Sequence, residues 1–96
     1  MGTKNNPGKF DCHAAAEPDE PMFVLLGRDP MAGFLVQLWA DLRKLKLEDP
    51  DKVEEAEACA AAMDAWAETR GKKLFPPKEA RWSITQDIVD HTAESE

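Results

Sequence analysis

Ninety-six residues and 10.7 kDa allow one domain, near the size at which a single hydrophobic core becomes marginal by itself. Twelve Lys and Arg stand against 19 Asp and Glu, giving a net charge of −7 and a pI near 4.8. That balance excludes a coat protein that neutralises many phosphates, and direct nucleic-acid binding is not expected. Cys12 and Cys59 close at most one bridge, which excludes the dense framework of a small secreted domain and points to a reducing compartment.

Residues 1–20 form an arm that is basic, then acidic: Lys4 and Lys9 precede Asp11, Glu17, Asp19 and Glu20. Asn5-Asn6-Pro7-Gly8 opposes helix formation, and beyond Phe10 and Ala14 to Ala16 the arm offers little to bury, so a flexible segment is expected. Its polar start has no signal-peptide core, and Asn6 stands where a myristoylation signal carries Ser or Thr. The longest apolar run, Met22 to Leu26, is far short of the ~20 residues that span a bilayer. The expected setting is the cytosol, with no membrane partner.

Met22-Phe23-Val24-Leu25-Leu26 is apolar on every side, and Gly27-Arg28-Asp29-Pro30 follows it. Its β-branched and aromatic content fits a short buried strand, while Asp19-Glu20-Pro21 in front and Gly27 behind fit a two-turn helix. The segment at 21–27 is therefore predicted as extended or helical, with extended preferred.

Asp29 is a good N-cap, and Pro30 suits the first helical position, where its missing N–H costs nothing. A helix is predicted over about 30–47. Met31, Leu35, Leu38, Leu42 and Leu45 alternate spacings of four and three, and Phe34 and Trp39 widen this stripe into an apolar face opposite Gln37, Asp41 and Lys44. Arg43, Lys44 and Lys46 fall in the last turns, where cations suit the helix dipole. Asp49-Pro50 repeats the start signal, with Asp51, Glu54, Glu55 and Glu57 at the positive end of a second helix over 50–70. Its predicted inner stripe is Val53, Ala56, Ala60, Met63 and Ala67, beside Cys59 and Trp66, and Gly71 is its stop. Seven alanines between Ala56 and Ala67 permit a close helix approach, and the short link implies an antiparallel αα-hairpin in a mainly α core spanning 21–70.

Residues 71–96 read as a basic, proline-containing linker and a short amphipathic tail. Lys72-Lys73-Leu74-Phe75-Pro76-Pro77-Lys78 is held extended by its proline pair. A short helix capped by Ser83 would carry Ile84 and Ile88 on one side, and Thr92 to Glu96 should fray.

Two helices of this length bury one face each, while every ordered residue costs roughly 1–2 kcal/mol of backbone entropy. Phe34, Leu38, Trp39, Leu42, Met63 and Trp66 then need a further surface, and a homodimer or larger oligomer is expected to supply it. The alternative is a monomer whose flanking arms close over the hairpin.

Motifs for chemistry are sparse. Cys12-His13, Cys59 and His91 show no CxxC, HxxxH or other ligand spacing, so no metal and no cofactor are expected. The acidic face of the second helix reads as a solvated surface. No phosphate-binding glycine loop or nucleophile elbow occurs, and an enzyme is not expected. One local feature has a sharper reading: Arg28 sits beside free N–H groups at a helix start and can hold a phosphate or carboxylate, although Asp29 opposes an anion there. In a symmetric oligomer, Arg28 can converge with Lys72, Lys73, Lys78 and Arg81 into a nucleotide-sized pocket.

The run Glu17-Pro18-Asp19-Glu20-Pro21-Met22-Phe23-Val24-Leu25-Leu26-Gly27-Arg28-Asp29-Pro30, followed by Ala32, Val36, Trp39 and Ala40 and later by Ala62-Met63-Asp64-Ala65-Trp66, resembles a widespread set of small bacteriophage and prophage proteins. The resemblance covers about residues 17–70 and departs from the set's usual Ala at Gly27. It implies a phage origin, action in the cytoplasm of a host bacterium and an αα-hairpin core, and it brings no catalytic signature.

Together these features suggest a non-enzymatic phage accessory protein that acts by binding, as an inhibitor of a host defence system. It would either block a host protein, with acidic side chains placed where phosphates would lie, or sequester a nucleotide signal. A structural phage component whose arms order on neighbouring subunits is the alternative.

Overall fold

The computed structural model describes residues 1–94. Four helices follow in order: α1 (Cys12–Ala15), α2 (Ala32–Leu45), α3 (Pro50–Thr69) and α4 (Lys78–Glu94). The fold is mainly helical, and no strand occurs among the described residues.

α2 and α3 pack against each other along their length. Lys44 meets Glu57 at one end and Gly33 meets Asp64 at the other, so contacting positions run in opposite chain directions. The contact is built from small side chains: Ala32 and Ala40 on α2 and Ala56, Ala60 and Ala67 on α3 are at most 2% exposed. Ala40, Val53 and Ala56 form the centre, with Met1, Val36 and Trp39 packed around it. The inner stripe expected on α3 is buried at Val53, Ala56, Ala60 and Ala67, with Met63 partly so.

On α2 the buried face differs from the predicted leucine stripe. Ala32, Gly33, Phe34 and Ala40 are buried, whereas Met31, Leu35 and Leu45 are 42%, 39% and 43% exposed, with Leu38 and Leu42 in between. The cause is steric. An alanine-lined helix gains most contact by approaching where its neighbour is also small, and that selects the Gly33 and Ala40 side of α2 over the leucines.

Helix limits show how the cap signals act. Asp29 does not begin α2 directly; its Oδ1 accepts from Met31 N at 2.9 Å and its carbonyl from Ala32 N at 3.0 Å, making a turn in front of the helix. α2 stops at Leu45, and Leu47 (φ 54°) and Asp49 (φ 50°) both take left-handed conformations in the link to α3. A non-glycine residue in that region is strained by about 1–2 kcal/mol. Asp49 occupies the N-cap of α3 with Pro50 after it, but its left-handed backbone leaves the side chain without a capping bond. α3 ends as Gly71 suggests: at φ 73°, Gly71 donates to Glu68 O and Lys72 N donates to Ala67 O, which satisfies the last carbonyls.

Two expectations need correction. Residues 20–26 are neither strand nor helix, and Phe23, Val24, Met22 and Leu26 are 86%, 66%, 51% and 51% exposed. A strand needs a partner, and none occurs among the described residues, while a helix of two turns closed by Gly27 is too short to sustain itself. The tail helix begins at Lys78, five residues before Ser83, because nothing after the Pro76-Pro77 pair interrupts it. It runs unbroken through the Thr92 to Glu94 stretch expected to fray; Ser95 and Glu96 lie outside the described residues.

Candidate functional site

The most tightly determined polar cluster lies where α2, α3 and α4 meet. Arg81 of α4 makes a two-pronged pair with Asp64 of α3, Nη1 to Oδ2 at 2.7 Å and Nη2 to Oδ1 at 3.1 Å, and donates from Nε to Pro76 O at 2.9 Å. Both charged side chains are largely buried, at 14% and 13% exposure. Gly33 makes room for this pair, since a Cβ there would stand 2.3 Å from Asp64 Oδ1. The Arg81 guanidinium also lies 5.9 Å from the Phe34 ring, and Phe75 N donates to Pro30 O at 3.3 Å. The cluster thus ties α4 and the segment before it to the other two helices. With its fork and its Nε engaged, Arg81 presents a structural contact rather than an open anion site.

A second cluster holds the N-terminal arm. The Glu55 carboxylate accepts from Lys9 N (2.6 Å), Phe10 N (3.0 Å) and the Met1 ammonium (3.3 Å), and the ammonium also bonds Pro7 O and Phe10 O. Partial burial pushes the Glu55 carboxyl up, but the two backbone donors and the ammonium outweigh it and hold its pKa below the usual glutamate value.

Arg28 is exposed in the turn before α2, and Lys72 and Lys73 are exposed after Gly71; none of the three forms an ion pair among the described residues. The Phe75 to Pro30 hydrogen bond draws their two segments together. Of the expected interface residues, Phe34 is inside the protein, Leu38, Trp39, Leu42 and Met63 are half-buried, and Trp66 is 42% exposed with the Arg70 guanidinium 3.4 Å from its ring centroid. Gly27 passes close to Met63 and Trp66 on α3.

The surface carries open grooves. One, of about 380 Å³, runs between α1 and the exposed apolar segment, lined by Cys12, His13, Met22, Phe23 and Lys52 among others. Another, of about 420 Å³, lies at the α2–α3 turn, with Leu47, Pro50 and Val53 as its apolar lining and Lys44, Glu48, Glu54 and Glu57 as its polar lining. Among the described residues no group of three or more His, Cys, Asp or Glu is placed to hold a metal, and no helix is long and apolar enough to cross a membrane. No family model, curated protein or solved structure matches the chain.

The Asp64–Arg81 pair is not legible in the sequence because its partners are 17 positions apart, across a stretch broken by Gly71 and two prolines. A glycine inside the apolar face of a helix was the available signal, since it marks a close approach.

Proposed function

We propose that this protein is a non-enzymatic phage accessory protein that acts by binding, as a homo-oligomer built on an antiparallel αα-hairpin, and that it inhibits a host defence component in the bacterial cytoplasm. The observation that carries the binding reading is the amount of large apolar side chain left in water. Phe23, Trp82, Val24 and Phe75 are 86%, 70%, 66% and 61% exposed, and the heptad-spaced Met31, Leu35 and Leu45 add a further strip. Apolar exposure on this scale in a small protein favours association, above all where the exposed side chains are consecutive, as at residues 22–24. The phage and host setting rests on the resemblance of residues 17–70.

Blocking a protein partner is favoured over sequestering a nucleotide, because two of the five cations a nucleotide pocket would use are engaged within the chain, Arg81 with Asp64 and Pro76 and Lys78 with Glu68. Leu38, Leu42 and Trp66 are then contact residues in association. Native mass spectrometry of untagged protein from bacterial lysate tests the reading. A discrete oligomer with a host protein bound at fixed stoichiometry is expected, and a bare 10.7 kDa chain or a large symmetric particle would overturn it.

A further inference from the structure

The groove at the α2–α3 turn and the segment after α3 are complementary surfaces. Along the groove, Glu57 is paired with Lys44 at 2.6 Å and Glu48 with Arg43 at 2.7 Å. Glu54 and the flanking Asp49 form no ion pair among the described residues, so the groove keeps net negative charge over an apolar lining of Leu47, Pro50 and Val53. Leu47 is 91% exposed although its backbone is left-handed at φ 54°. An exposed leucine in that conformation gains nothing from its own chain, where Asn or Gly would sit without strain.

At the other end of α3, Lys72 and Lys73 project unpaired among the described residues, followed by Phe75 at 61% exposure. This is a basic pair next to an aromatic side chain, the converse of an acidic groove with an apolar lining. The two surfaces of one chain cannot meet: from Val53 to Gly71, α3 and its cap separate them by about 27 Å at 1.5 Å per residue. Within one chain, therefore, neither surface can cover the other.

We propose that the groove takes the Lys72–Phe75 segment of a second copy of this chain, reciprocally, so that two such contacts close a two-fold dimer. Phe75 enters against Leu47, Pro50 and Val53, and Lys72 and Lys73 face Glu54 and Asp49. Shape and apolar contact set the register while the charges set the orientation. The inference rests on the homo-oligomer reading above and names its interface.

The test uses two single variants of the full chain, Glu54→Lys and Lys73→Glu, at positions exposed and unpaired among the described residues, so that folding is spared. Each alone sets like charges against each other at both contacts of its homodimer, and dimerisation measured by sedimentation velocity weakens about tenfold or more. Mixed in equal amounts, the two variants form a heterodimer in which one contact is native and the other is reversed but complementary, and dimerisation returns. An oligomer of the wild-type chain that both variants retain, or variants that remain monomeric when mixed, would overturn this interface while leaving the homo-oligomer reading intact. A wild-type chain that is monomeric at all concentrations would overturn both.

Discussion

Replacing Gly33 by Ala tests the packing of the three helices in its least forgiving place. In an exposed helix interior the change would stabilise by about 1 kcal/mol, since alanine restricts the unfolded chain and favours helix. Here the new methyl would stand 2.3 Å from Asp64 Oδ1 and 2.6 Å from its Cγ, so the carboxylate must move. It has little freedom to do so, because the Arg81 fork grips it from the other side at 2.7 and 3.1 Å. Displacing it strands a guanidinium that is 14% exposed, a loss of about 3 kcal/mol, at the low end for buried pairs because water retains some access. The net effect is a destabilisation of about 2 kcal/mol, a fall in urea midpoint of roughly 1 M. Urea unfolding followed by tryptophan fluorescence measures it. The same substitution in an Asp64→Ser background should cost far less, since the obstructing carboxylate is gone. A Gly33→Ala protein as stable as the parent would mean that the Asp64 carboxylate moves aside freely and that the pair does not restrain it.

Three further outcomes follow from the structure. Because the Glu55 carboxyl has a folded-state pKa below its unfolded one, its hold on the arm is complete above the ordinary value of 4.5 and is lost as pH falls through the depressed value; the Lys9 and Phe10 amide resonances should titrate with a midpoint under 4.5, and a midpoint at or above it would contradict the docking. Leu47→Asn should stabilise the folded monomer by about 1 kcal/mol in thermal unfolding, because Asn tolerates the left-handed backbone, while weakening self-association; unchanged association would count against Leu47 as a contact. Burial pushes the Cys59 thiol pKa up whereas Cys12 is exposed, so iodoacetamide mapped by peptide mass spectrometry should label Cys12 well before Cys59, and equal rates would show that Cys59 is open.

The parts of the fold legible in the sequence are those fixed by local chemistry. Asp49-Pro50 and Gly71 bound α3 because a missing N–H and a left-handed backbone position act within one turn. The alanine run announced a close approach, and the buried positions on α3 follow its spacing. What failed required knowledge of the neighbour. The leucines of α2 have the regular spacing of a core stripe, yet the close approach to α3 goes through Gly33 and Ala40. Residues 22–26 have the composition of a buried strand, but composition cannot supply the second strand. The Ser83 cap signal lost to the proline pair upstream, which had already positioned a helix start. At the candidate site, Arg81 is legible in the sequence by its charge, while its partner Asp64 is hidden among residues of a solvated helix face.

Self-association is tested by sedimentation velocity of the untagged wild-type chain across a wide concentration range. The expected result is a concentration-dependent rise from 10.7 kDa to a discrete oligomer. A single species of 10.7 kDa at every concentration would contradict it.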